Sequence, residues 1–171
     1  MTLEKEIDAL DKAFGDLVRK SPKTPAEMEE KERLRILRMN ALIRQSGPLN
    51  SELLEAGIRV ASVWDFVNTA DKYTEAIPVL VKHLNKPYHR AIKEGIVRAL
   101  AVKEAKGVAN KAVMEEYRRL PKEDPDKPWV FHYRWAFGNT MRVIVTKDDL
   151  EDLIGIVLDK SNGDSRDMFV R

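Results

Sequence analysis

At 171 residues, 43% hydrophobic and 34% charged, the chain is long enough to bury a sizeable core and ordinary in composition for a folded protein. Its 30 basic and 28 acidic residues nearly cancel to a formal net charge of +2, without the excess that advertises nucleic acid. The absence of cysteine excludes disulfides and thiolate metal sites and fits a cytoplasmic setting, and no apolar run approaches the roughly 18 residues of a membrane span.

Helical periodicity begins at once. Leu3, Ile7, Leu10, Phe14 and Leu17 recur at spacings of three and four, which predicts a first helix with one apolar stripe. Thr24-Pro25-Ala26-Glu27 predicts the start of a second: a threonine cap, proline at the first helical position, and a glutamate that can reach back to the cap. Gly47-Pro48 reads as its stop. Two short pieces follow, SELLEAG after Asn50 and VWDFVN after Ser62, the second with Asp65 placed to complete a capping box. MRVIV, residues 141 to 145, is the one strand-like run, and it is too short to compete with its helical flanks.

The stretch EAIPVLVKHLNKPYHRAIKEGIVRAL, residues 75 to 100, reads as two amphipathic helices, the first with a proline among its core residues. With Thr74 as the cap, Pro78 falls at the fourth helical position, where backbone N–H groups have no intrahelical carbonyl to meet, so the ring forfeits no hydrogen bond. The stripe Ile77, Leu80, Val81, Leu84 recurs as Val113, Glu116, Tyr117, Leu120 and again as Leu150, Leu153, Ile154, Val157, a period of roughly 36 residues. Each first helix is followed by a second. One is expected over residues 90 to 102 with Ile92, Gly95, Ile96, Ala99 and Leu100 inward, the next over 129 to 143 with Tyr133, Ala136, Phe137, Thr140 and Met141 inward, and a third from SRDMFVR. Gly95 and Ala136 are equivalent small residues, as close helix packing requires, and KEDPDKP reads as an insertion between paired helices.

Paired helices at this period, the proline in the first helix, and the phrases VWDFVNT, EAIPVLVKHLNKPY and KEGIVRALAVKEA resemble bacterial HEAT-repeat proteins. The resemblance covers roughly residues 62 to 171 and departs from the pattern at Glu116, which stands where the other units have Leu80 and Leu153. It implies an all-α fold, an α-solenoid of antiparallel helix pairs within a single domain of residues 1–171, with residues 1–61 as an N-terminal helical cap. It further implies that the second helices line a concave recognition face. The candidates for that face are Arg90, Lys93, Glu94 and Arg98 on one helix, and Arg134, Trp135, Gly138, Asn139 and Arg142 on the next. Trp135 flanked by arginines has the composition of an interface anchor; the alternative is that it packs on the inserted loop, against Pro128 or Trp129. Taken singly, the basic residues also fit a plain solvated face.

Catalytic patterns are sparse. His83, His89 and His132 form no metalloprotease arrangement and are expected on helix surfaces, and no phosphate loop or nucleophile elbow occurs. DKSNGDSRD, residues 159 to 167, fails as a calcium loop because Asp164 and Val170 occupy the positions that need glycine and glutamate. Asp148, Asp149, Glu151 and Asp152 fit the first turn of a helix after Thr146, where the helix dipole favours carboxylates.

Two readings of function follow. The first is a non-enzymatic module whose concave face holds another protein, with no cofactor and no membrane partner, and in a narrower form an immunity-type or regulatory inhibitor. The second is an enzyme similar to the HEAT-like DNA glycosylases, or a nucleic-acid-binding protein, for which Trp129, Arg134, Trp135 and Asp148 would be the residues to test; the balanced charge argues against it. The third repeat ends before its final turn, so its apolar stripe is expected to stay partly open and to pair with a second copy of the chain, or else to continue in a longer natural protein.

Overall fold

The computed structural model describes residues 2–67 and 69–169. Among these residues every regular element is helical and there is no strand. Contacts gather into two units, Met1–Pro48 and Leu49–Arg171.

The first unit is a helical hairpin of α1 (Leu3–Arg19) and α2 (Pro25–Gln45). Thr24 and Glu27 close the expected capping box: Glu27 N–H donates to Thr24 Oγ1 at 3.3 Å and Thr24 N–H to Glu27 Oε2 at 2.9 Å. Ile7, Leu34 and Ala41 are buried, and the ion pairs Arg38–Asp11 and Arg44–Glu6 link the two helices. Gly47-Pro48 does more than stop α2, because it opens α3 (Gly47–Glu55) directly. Proline suits the first turn of that helix, where its missing N–H has no partner to lose.

In the second unit a one-turn 3-10 helix, Val63–Phe66, carries the predicted Ser62–Asp65 capping box. It is followed by α4 (Ala76–Leu84), α5 (Arg90–Ala99), α6 (Asn110–Arg119), α7 (Pro128–Ile144) and α8 (Leu150–Leu158). MRVIV lies at the end of α7, as its flanks require. Tyr73, just ahead of α4, donates its hydroxyl to Ala99 O at the end of α5 (2.8 Å), so those helices run antiparallel. Gly107 N–H, ahead of α6, donates to Ile144 O at the last residue of α7 (3.2 Å), so the second pair is antiparallel too. α4 packs beside α6 and α5 beside α7; Thr140 Oγ1 on α7 donates to Val97 O on α5 at 2.9 Å. The core between them includes Leu80, Leu84, Ile96, Leu100, Tyr117, Phe137 and Met141, all essentially inaccessible, each contributing about 1.5–3 kcal/mol by burial.

Pro78 is exposed and is the third residue of α4, which begins at Ala76 rather than after a Thr74 cap. The helix start moves, yet the proline still lies in the first turn, where no N–H partner is lost. Gly95 permits close packing as expected: a Cβ there would fall 2.4 Å from Val63 Cγ2. Glu116 is buried because Lys93 on α5 meets it in an ion pair, with Arg119 also at 3.6 Å. A carboxylate replaces leucine where the facing helix offers an ammonium.

The third pair departs from the expected stripe. On α8 the buried residue is Ile156, while Leu150 and Ile154 are exposed. The element following it is a 3-10 segment, Asp164–Phe169, laid along α7; Val170 and Arg171 lie outside the described residues. Gly138 on α7 makes that approach possible, since a Cβ there would sit 2.8 Å from Met168 Cβ and 3.3 Å from the Phe169 ring. It is a packing residue and not part of an open face.

Candidate functional site

Arg90, Glu94 and Arg98 follow one another at helical spacing along a single side of α5. Both Nε and a terminal nitrogen of Arg98 donate to Glu94 Oε1, at 2.9 and 2.8 Å, which holds the guanidinium in place. That guanidinium lies 5.9 Å from the centroid of Trp135 on α7, and Arg90 lies 4.7 Å from that of Trp129 at the start of the same helix. On the other side of α5, the Trp64 indole packs so close to Gly95 that an added Cβ would come within 3.1 Å of its Nε1. The chain's three tryptophans therefore all border α5. Trp64 is 42% and Trp129 37% exposed, and Trp135 is half-buried.

Beside Arg98 a cleft of about 440 Å³ opens, lined among others by Phe66, Tyr73, Ile77, Arg98, Val102 and Asn139. The Phe66 and Tyr73 rings meet there at 4.6 Å. Burial, with a smaller contribution from the Glu104 charge, pushes the Tyr73 phenol up. The surface is a shallow aromatic and guanidinium face with one recess of mixed polar and apolar lining.

The predicted face residues divide. Arg90, Glu94, Arg98, Trp135 and Asn139 stand together as described, and Arg142 is exposed near the end of α7. Trp135 lies beneath Arg98. Lys93 points the other way, into its ion pair with buried Glu116. Arg134 is fully buried. Its terminal nitrogens donate to Leu120 O (3.4 Å), Pro121 O (3.2 Å) and Asn162 Oδ1 (2.8 Å), and its guanidinium covers the Tyr117 ring at 4.2 Å. Successive residues on a helix diverge by about 100°, so Arg134 and Trp135 serve different surfaces.

That separation also breaks up the base-handling set. Arg134 is sequestered, and Asp148 lines a second cleft with Arg118, Lys122, Glu151, Asp152 and Asp159, while Trp135 lies under Arg98. Asn162 in the DKSNGDSRD segment is a structural anchor: it accepts from Arg134 and from Lys122 (2.9 Å) and donates to Ile156 O (2.9 Å). Asp149 is buried; burial works to raise its carboxyl pKa, but donation from Thr146 and Asn110 outweighs this and holds it below the usual carboxylate range.

Two histidines are not on the surface. His83 is fully buried, with Nδ1 2.7 Å from the Tyr88 hydroxyl and Nε2 2.9 Å from Glu52 Oε2. His89 is buried as the cap of α5, accepting from Ala91 N–H at 3.2 Å. His132 is exposed. Among the described residues no group of three or more His, Cys, Asp or Glu side chains is placed to hold a metal ion, and no helix is long and apolar enough to cross a membrane.

Trp64 also borders α5 and was passed over as a candidate, because VWDFVNT was read for its capping box and its family resemblance. The signal that could have found it is the opposing glycine at position 95, which leaves room for an indole. Comparison with protein-family models, with curated proteins and with solved structures gives no match for the chain.

Proposed function

We propose that this protein is a non-enzymatic interaction module of HEAT-like solenoid type, and that the face around α5 binds a partner protein. The partner presents apolar side chains to Trp64, Trp129 and Trp135 and polar groups to Arg90, Arg98, Asn139 and Arg142. The supporting observation is that all three tryptophans border α5, two of them under arginine guanidinium groups. Tryptophan and arginine are the residues that most often dominate binding energy at protein interfaces. In its narrower form the module is a regulatory or immunity-type inhibitor acting in the cytoplasm, since a surface that binds without reacting can cover another protein's working site. We also assign to it a capacity to pair with a second copy through its C-terminal repeat.

Affinity capture with the tagged chain, followed by mass spectrometry, tests the reading when run in parallel with a Trp64→Ala/Trp135→Ala double variant. A protein retained by the parent chain should be lost from the variant while circular dichroism shows both folded. Retention of the same protein by both, or base release from alkylated DNA by the parent chain, would overturn the assignment.

A further inference from the structure

Asn162 is the one asparagine in the chain followed directly by glycine. The backbone needs that glycine: residue 163 has a φ of +71°, and the Glu123 carboxylate occupies the space a Cβ would take. Glycine in that place also leaves the asparagine amide open to attack from within the chain, because no side chain shields the next backbone nitrogen. Gly163 N can add to Asn162 Cγ, closing a five-membered succinimide and expelling Nδ2 as ammonia. Water then opens the ring. Addition at the Asn162 backbone carbonyl, the main course, leaves an isoaspartyl link with one more methylene in the main chain; addition at Cγ leaves aspartate.

The fold withdraws both reactants. Gly163 N–H donates to Lys160 O at 3.1 Å. Asn162 is buried and its amide is held at both ends: Oδ1 accepts from Arg134 (2.8 Å) and Lys122 (2.9 Å), and Nδ2 donates to Ile156 O (2.9 Å). The same turn seats the segment Asp164–Phe169 along α7. Glu123 accepts from the backbone N–H groups of Asp164 (2.9 Å) and Ser165 (2.8 Å), and Ser165 Oγ donates to Asn162 O (3.1 Å).

We propose that Asn162-Gly163 is a self-modification site gated by this seating: the amide converts when the turn opens, and the isoaspartyl product prevents the segment from seating again. Opening needs only the loss of this short set of hydrogen bonds, not global unfolding. Conversion removes Nδ2, the donor to Ile156 O. The added methylene shifts Gly163 away from Lys160 and carries the Asp164 and Ser165 amides off Glu123, so several buried partners are lost together. Met168, which packs at Gly138, and Phe169, edge-on to Tyr117, come away with the segment. The step runs one way, since ammonia is lost from the amide. The product is a chain whose α7 is bared at Gly138 after a time set by how often the turn opens.

Incubation of the full chain at mildly alkaline pH, with and without urea, reads the conversion by peptide mapping and by labelling with an isoaspartyl methyltransferase. Conversion of the folded chain should be at least about tenfold slower than in urea. Glu123→Gln loosens the hold on Asp164 and Ser165, and Lys122→Ala removes a donor to Asn162; with circular dichroism unchanged, each should quicken conversion of the folded chain at least about threefold and leave the rate in urea unaltered. The isoaspartyl chain, separated by ion exchange, should exchange amide hydrogens of residues 164–169 faster than the parent, with residues 90–99 unaltered. Equal rates with and without urea, no conversion in urea, or folded-state rates that neither variant changes would overturn the gate. An isoaspartyl chain that protects residues 164–169 as well as the parent would overturn the release.

Discussion

The guanidinium of Arg134 stands 4.2 Å above the Tyr117 ring and donates to the carbonyls of Leu120 and Pro121 and to the amide oxygen of Asn162. A buried cation is thus held by neutral oxygens that close the end of α6. Arg134→Lys keeps the charge but loses the planar fork, and should cost about 2–4 kcal/mol. Arg142→Ala, on the exposed side of the same helix, should stay within about 0.5 kcal/mol. Urea melts of the two variants check both, and similar losses would show that Arg134 is not a brace.

Pro78 as third residue of α4 should tolerate alanine with a change of no more than about 1 kcal/mol. Proline at Val97, which lies inside α5 and is fully buried, should cost about 3 kcal/mol or more. Denaturant midpoints that fall equally for both would place the start of α4 elsewhere.

Three glycines should respond with opposite signs. Gly95→Ala drives a methyl to 2.4 Å from Val63 and Gly138→Ala one to 2.8 Å from Met168, so each should destabilise by about 1–3 kcal/mol. Gly155 on α8 has nothing within 4 Å of an added Cβ, and Gly155→Ala should stabilise by about 0.5–1 kcal/mol. Thermal melts of the set give the order.

Acid should weaken the second unit through Glu52. Donation from Lys82, then from His83, lowers its carboxyl pKa from 4.5 to about 2. A carboxyl depressed by folding contributes stability that is fully present above its unfolded value and lost as pH falls through its folded value. The contribution should therefore be complete above about 4.5 and gone by about 2. Glu52→Gln should flatten urea stability across that window, and an unchanged acid slope would remove Glu52 from the account.

Helices and their caps were legible because local chemistry writes them: Thr24 with Glu27 and Ser62 with Asp65 closed the boxes expected of them. Close packing at Gly95 was legible for the same reason, since a small residue on an apolar stripe marks close approach. Arg134 was not. A positively charged residue on a helix is ordinarily solvated, and its burial depends on a ring and two carbonyls from α6 and an amide far along the chain. Lys93 and Glu116 misled in different ways: Lys93 looked like part of an open face and Glu116 like a break in the stripe, and only the fold, which brings the Lys93 ammonium on α5 to the Glu116 carboxylate on α6, makes them partners. The α8 stripe was misplaced because Leu153, Ile154, Ile156, Val157 and Leu158 are nearly continuous, and an all-apolar run does not say which side is inward.

The convergence of the tryptophans on α5 has an optical consequence. The chain's three Trp and four Tyr residues all follow residue 48, so Met1–Pro48 emits nothing when indoles or phenols are excited. Fluorescence sees the second unit alone, whereas far-ultraviolet circular dichroism sees the helices of both. A melt followed by the two signals resolves whether the units lose their structure together or in sequence, with no label attached. The same indoles border α5, so a ligand that displaces water from them should shift the emission directly.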